Sequence, residues 1–398
     1  MSTLYKQSTT KNTNRIPLCI PEMHGNEWTY LKECIDTNYV SSVGPFVERF
    51  ERGVADYVGA KYAVATVNGT AALHVALLVA GIQPDDEVLV STLTFIAPVN
   101  AIRYAGAWPV FMDADPAYWQ MDPEKTSDFL EKQCLWTKGQ LRNKKTGRKV
   151  RAILPVHLLG HPVNIDPIIE IAKKYDLVVI EDATEGLGAK YKEQMIGRLG
   201  DLACFSFNGN KIITTGGGGM IVTDNEAWAN KARYLTTQAK DDPVEYIHNE
   251  IGFNYRLTNI QAALGCAQLE NLSEYIVAKQ RIASVYKESL KDVGGLTPMC
   301  EAPWARSIWW MFTVLVDGES YGIDSRMLLK TLSASKIESR PLWQPIHRSR
   351  PYSDCQTYFC ETADRLYRDA LSLPCSVGIT PEQIDAVLLA LKHSGRNG

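Results

Sequence analysis

Between Lys61 and Thr237 the chain alternates short, continuously apolar segments with amphipathic ones, and this alternation limits the fold more than any other feature. Tyr62–Val67, Glu87–Leu93, Trp108–Asp113, Arg151–Val156 and Leu177–Asp182 carry apolar side chains at consecutive positions. A strand with one wet face alternates apolar with polar. A strand apolar on both faces belongs in a parallel sheet covered on both sides. Thr70–Ala80, Ile96–Tyr104, Asp122–Gln133 and Ile165–Tyr175 read as the covering helices. Ala203–Phe207 and Met220–Thr223 add two strands, and Glu226–Thr237 a helix. The pattern predicts an α/β fold whose large domain holds a mainly parallel, seven-stranded sheet.

A chain of 398 residues has room for a second, smaller α+β domain. Ile260–Leu290 reads as a long helical stretch broken near Asn271. A boundary near residue 270 then gives an N-terminal segment (1–25), a large domain (26–270) and a small C-terminal domain (271–398). The last should contain a strand at Trp310–Val316, a helix at Asp324–Ser335 capped by Asp324, and a closing helix at Pro381–Leu391. Residues Trp136–Lys149 read as a polar insertion, its basic stretch Arg142–Lys149 as a solvated loop.

Composition narrows the function. A net charge of −3, with 22% charged and 45% apolar residues, suits a soluble globular enzyme and argues against a nucleic-acid binder. No run approaches the about 18 apolar residues of a membrane span, and the polar stretch Met1–Arg15 lacks a signal-peptide core, so a cytoplasmic enzyme is expected. The nine cysteines are scattered, without a Cys-x-x-Cys pair, and the seven histidines lack ligand spacing. Reduced thiols and no metal site are the expectation.

The chemistry gathers at strand exits, where α/β folds place their ligands. Lys211 lies between the apolar run Leu202–Phe207 and the tract Gly216–Gly219. A lysine there can form a Schiff base with a carbonyl cofactor. Asp182 ends a buried strand, where a carboxylate needs a partner such as a protonated pyridine nitrogen. Together they point to pyridoxal 5'-phosphate (PLP). Asn68-Gly69-Thr70-Ala71 follows a strand and opens a helix, which offers backbone N–H groups to a phosphate or is simply a helix cap. Phe95, at the next exit, is either core or a platform for a ring, and Glu185 is placed to face the ring oxygen. Asn254 and Arg256, before a helix capped by Thr258 or Asn259, suit an anionic partner or a loop ion pair.

These segments resemble the DegT-type sugar-nucleotide aminotransferases, which have the aspartate-aminotransferase fold (PLP fold type I). The resemblance runs from Ile16-Pro17-Leu18 to the final helix through Ser41-Ser42-Val43-Gly44, Asn68–His74, Thr94–Ala97, Glu181-Asp182-Ala183, Lys211 with Thr214-Thr215-Gly216, and Asn254–Asn259. It implies that Lys211 bonds the cofactor, Asp182 pairs with the ring nitrogen, Phe95 stacks on the ring and Glu185 lies near its hydroxyl. Gly69, Thr70 and Ser206 would hold the phosphate, with Ala71 and Asn210 beside them. Asn254 would reach the cofactor phosphate of a neighbouring subunit, making a homodimer part of the site.

Asn208-Gly209-Asn210-Lys211 and Gly216–Gly219 stand where many members have His-Pro and Gly-Glu-Gly-Gly. With Thr236–Lys240, this version looks like the subgroup that aminates UDP-linked 4-keto-6-deoxy-N-acetylglucosamine on the bacillosamine and legionaminic acid routes. The expectation is transfer of an amino group from L-glutamate to carbon 4 of that UDP-sugar. A carbon-3 aminotransferase or PLP dehydratase is the alternative on the same fold; the dehydrating relative has histidine in place of the lysine. A non-catalytic PLP-binding regulator is the alternative of another class. Candidate sugar-nucleotide contacts are Glu22–Gly25, Ser41–Val43 (Ser42 and Val43 above all), Trp309–Phe312, Arg340–Trp343 and the stretch His347–Arg350.

Overall fold

The computed structural model describes residues 15–242 and 244–395. The N-terminal stretch up to Asn14 therefore lies outside the described residues. The main sheet has eight strands, in the spatial order 62–66, 219–223, 202–206, 178–182, 150–154, 87–91, 108–112, 356–358. Gly219–Thr223 runs antiparallel to both its neighbours. The other pairings are parallel. The seven expected strands are all present. The eighth, Gln356–Tyr358, arrives from the C-terminal part and pairs with Trp108–Met112 at the sheet edge.

Burial follows the apolar runs. Val88, Leu89 and Val90 are fully buried, as are Ala152, Ile153 and Leu154. The Gly69–Val79 helix is sunk into one face, with Leu73, Val75, Ala76 and Leu77 inaccessible. Leu77 and Ile180 belong to the core on that face, whereas Leu89, Val179 and Ala203 belong to the core on the other. Both faces are thus covered, as an all-apolar strand requires.

Two helices that the apolar pattern did not announce, Glu27–Asp36 and Pro45–Val58, pack against Asn259–Glu270. The long helical stretch is split at Asn271 into Asn259–Glu270 and Leu272–Ser289. Thr258 caps the first half in a reciprocal box with Gln261. Asp324 caps Ser325–Ala334 by accepting from Met327 N.

The C-terminal part builds a four-stranded antiparallel sheet in the order 296–298, 312–316, 370–373, 340–341. The polar insertion forms a hairpin, Cys134–Thr137 with Gln140–Asn143. Its basic end is not simply a solvated loop. Asn143 is buried and donates to Glu87 Oε2 and Gln356 Oε1, and Thr146 donates to Glu87 Oε1. No helix among the described residues is long and apolar enough to cross a membrane.

Candidate active site

The carboxyl ends of the parallel strands open into a cavity of about 420 Å³. Gly69, Thr70, Phe95, Asp182, Glu185, Ser206, Asn210 and Lys211 line it together with Arg340 and Trp343. Residues from four separate strand exits and from the C-terminal sheet thus meet at one place.

Asp182 closes the Val178–Asp182 strand and is 2% exposed. One of its oxygens accepts from Thr184 N at 3.1 Å. Burial pushes this carboxyl up, against the opposing pulls of Thr184 and of the Lys211 charge. Glu185, one turn further on, accepts from Leu159 N at 2.8 Å and lies 3.9 Å from Lys211 Nζ. Burial drives its carboxyl up to about 7. The Lys211 amine moves the opposite way: burial lowers it, while Glu185 and Asp182 oppose the shift. An amine short of solvation beside two acids short of solvation is a set that can exchange protons near neutral pH.

Lys211 Nζ sits 4.1 Å over the ring of Trp310. The Trp310 indole in turn donates to the carbonyl of Asn210 at 2.7 Å, so one tryptophan fixes the lysine from its backbone to its tip. Trp343 lies parallel to Trp310, with ring centres 6.3 Å apart.

The Leu158–Gly160 turn ties this wall to Glu185. Leu159 holds φ +59°, a left-handed conformation unusual for a branched residue, and its N–H is aimed at Glu185. Gly160 also has positive φ, and a Cβ there would stand 2.7 Å from Ile308 and 2.9 Å from the Trp310 nitrogen. Only glycine lets this turn lie against the segment that carries Trp310.

Gly69 begins its helix pressed against Ser206: a Cβ would come within 2.8 Å of Ser206 Cβ. The Asn68 side chain caps the helix by accepting from Ala71 N at 2.8 Å. The Ala71 amide is therefore occupied within the chain, and Ala71 drops out of the phosphate set. Gly69, Thr70 and the Ser206 hydroxyl remain, all lining the cavity.

Other sequence candidates lie elsewhere. Trp309 is buried in the core under Lys287, whose Nζ is 3.8 Å from its ring; its neighbour Trp310 faces the cavity instead. His347 is bonded to Thr92 through Nδ1 and faces Asp364, and Arg348 clasps the same Asp364 with two hydrogen bonds. Glu22 gives its carbonyl to Gln268 outside the cavity. Ser42, Val43 and Asn254 are at least partly exposed and also outside it. Residues that sequence reasoning missed are Thr184, Leu159 and Asn208, which line the cavity; Trp310 lay within the candidate range Trp309–Phe312, but its contact with Lys211 was not foreseen.

The cavity fits PLP on the chain's own evidence. A buried carboxylate retains acceptor capacity facing the cavity, an amine shorn of solvation stands across from it, and a glycine at a helix start leaves room that a Cβ would fill. Phe95 is 52% exposed at the cavity wall, so it is not core and its ring is open to a ligand.

Residues 21–392 match the DegT/DnrJ/EryC1/StrS aminotransferase family, and the chain belongs to that family. It is a PLP-dependent sugar aminotransferase of fold type I. It is 43% identical to GDP-perosamine synthase of Caulobacter vibrioides, over 95% of this chain and 97% of that one. It is 38% identical to GDP-perosamine synthase of Escherichia coli O157:H7, over 93% and 95%. Among solved structures it is similar to S. venezuelae DesV in complex with a ketimine intermediate (TM-score 0.83, 29% identity, 92% of this chain and 94% of that one).

Proposed function

We propose that this enzyme transfers an amino group from L-glutamate to carbon 4 of a nucleotide-linked 4-keto-6-deoxy sugar, and that the nucleotide is GDP. The observation that carries the reaction is the Lys211 amine held between Glu185 and Trp310 in a cavity that Asp182 also lines. Support for GDP comes from the two relatives named GDP-perosamine synthase, a 4-aminated GDP-sugar. This replaces the UDP-linked acceptor expected from the motif at Asn208–Lys211, since those relatives match over nearly the whole chain.

Bound PLP supplies a carbonyl carbon that accepts the amino group and a pyridine ring that spreads negative charge. Lys211 would hold the cofactor and then, once displaced, carry a proton at Nζ; burial makes its neutral form accessible. Asp182 would hold the ring nitrogen, Phe95 would cover the ring, and Gly69, Thr70 and Ser206 would hold the phosphate. Arg340 and Trp343, on the C-terminal wall, would face the sugar nucleotide. Asn254 is exposed and does not line its own cavity, which supports a homodimer in which it serves the partner's cofactor.

The test is a competition. Purified enzyme with L-glutamate is offered the GDP-linked 4-keto-6-deoxyhexose and the UDP-linked 4-keto-6-deoxy-N-acetylhexosamine, and NMR locates the new amine. Preference for the GDP-sugar with nitrogen at carbon 4 is expected. Preference for the UDP-sugar, or nitrogen at carbon 3, overturns the corresponding part.

A further inference from the structure

Lys279 is a buried lysine with no carboxylate among its hydrogen-bond partners. It lies on the Leu272–Ser289 helix, is 2% exposed, and donates to the carbonyls of Trp310 at 2.8 Å and Cys375 at 2.6 Å. Its other neighbours are two sulfurs, Cys375 Sγ at 3.4 Å and Cys19 Sγ at 3.5 Å. A buried ammonium that meets only neutral groups carries a large desolvation cost. A thiolate removes it.

The two cysteines come from opposite ends of the sequence and lie side by side. Cys375 N donates to the Leu18 carbonyl at 2.8 Å, and Ile20 N to Ser376 Oγ at 3.1 Å. Both sulfurs lie against the same Lys279 Nζ, Cys19 at 3.5 Å and Cys375 at 3.4 Å. Their mutual influence draws the Cys375 thiol down and the Cys19 thiol up, and the Lys279 charge also favours a Cys375 thiolate. Burial alone would lower the Lys279 amine, but the sulfurs more than offset it. Two sulfurs thus share one buried amine, an arrangement that favours a thiolate at Cys375, and a neighbouring cation is what makes cysteines reactive elsewhere. Transamination as described uses none of the three.

We propose that Cys19 and Cys375 are an oxidation site, joined reversibly as a disulfide by a hydroperoxide. The Cys375 sulfur attacks one oxygen of hydrogen peroxide and breaks the O–O bond, leaving a sulfenic acid and hydroxide. The Cys19 sulfur displaces the sulfenic hydroxyl, forms the S–S bond and gives up its proton to the departing oxygen as water. Hydroxide takes the proton that Cys375 had already released. Two thiols and one peroxide become one disulfide and two waters: the sulfurs lose two electrons in all and the peroxide gains them. Cys375 is buried, whereas Cys19 is half-buried and follows Leu18, which lines the catalytic cavity, so the cavity side is where a small oxidant would approach the pair.

The consequence reaches the active site. Oxidation would take away the thiolate that balances Lys279, since no carboxylate among the described residues bonds it, and Lys279 holds the Trp310 carbonyl. The Trp310 indole holds Asn210 and covers Lys211. Turnover should fall on oxidation and recover on reduction.

The experiment uses the PLP-loaded enzyme treated with graded hydrogen peroxide. Remaining thiols are capped with iodoacetamide after denaturation, and the unreduced digest is read by mass spectrometry. A Cys19–Cys375 cross-linked peptide that disappears with dithiothreitol is expected, together with a loss of turnover of about tenfold or more that dithiothreitol restores. C19S should start within about twofold of the parent and lose less than about twofold under the same treatment. Recovery of both Cys19 and Cys375 as capped thiols, under peroxide that has already oxidised the exposed Cys300, overturns the proposal whatever the sugar substrate. Equal loss of turnover in C19S overturns the link to activity.

Discussion

Glu181 and Asp182 are adjacent in sequence, both buried, and point to opposite faces of one strand. Glu181 is saturated: it meets His157 Nε2 at 2.9 Å and accepts from the N–H groups of Gly197, Leu199 and Gly200. Val163 N donates to His157 Nδ1, so the imidazole proton sits on Nε2 and donates to Glu181. Burial works to raise the Glu181 carboxyl, but these donors win and hold it low. Asp182 has Thr184 N as its donor, and burial wins. Equal burial therefore gives opposite electrostatics. What separates a structural carboxylate from a working one is unspent acceptor capacity.

The largest effect that tests this contrast lies across the cavity. Lys211→Ala should lower turnover more than about a thousandfold while the fold persists, because it removes the reacting amine. Retention of turnover in a steady-state assay would dismiss the site altogether. The two carboxylates should then part company. Asp182→Asn should cost about a hundredfold or more in kcat, yet leave urea-unfolding stability of the cofactor-free protein within about 1 kcal/mol, since it removes a charge that burial opposes. Glu181→Gln should do the reverse, losing about 2–4 kcal/mol of stability by stranding buried donors, with kcat of the folded fraction largely kept. If the two variants behave alike, the contrast is empty.

The pH dependence sharpens the same point. A carboxyl raised on folding, as in Glu185, stabilises the protein fully below its ordinary value of 4.5, and that contribution is lost as pH rises through about 7. Glu181, held low, contributes above its ordinary value and loses it as pH falls. For the cofactor-free protein, Glu185→Gln should therefore remove up to about 3 kcal/mol of stability loss between pH 4.5 and 8. An unchanged slope in pH-resolved urea titrations counts against it. Smaller still, Arg340→Ala should raise the sugar-nucleotide KM several-fold, by about 1 kcal/mol, whereas Arg348→Ala should not, because Arg348 is committed to Asp364.

Much of this was legible because burial on both faces leaves a strong mark: the seven apolar strands, and the lysine and aspartate at two of their exits, stand out from residue types alone. Three things were not. Gln356–Tyr358 is a three-residue strand with no apolar run, held mainly by its neighbour. The choice between Trp309 and Trp310 depends on backbone rather than side chain. Trp309 sits at φ +52°, which breaks the alternation that would assign faces. The commitment of the Ala71 amide to Asn68 is a local hydrogen bond that a helix start either makes or leaves to a ligand, and residue type does not decide between them.

The Gln356–Tyr358 strand also bears on how this chain can be cut. A fragment ending near residue 270 would keep Lys211, Asp182 and Glu185, but would lay bare the backbone of Trp108–Met112, an apolar edge open to any other strand in solution. The C-terminal part therefore covers an edge that the sheet would otherwise offer, and such a fragment should self-associate rather than serve as a smaller enzyme.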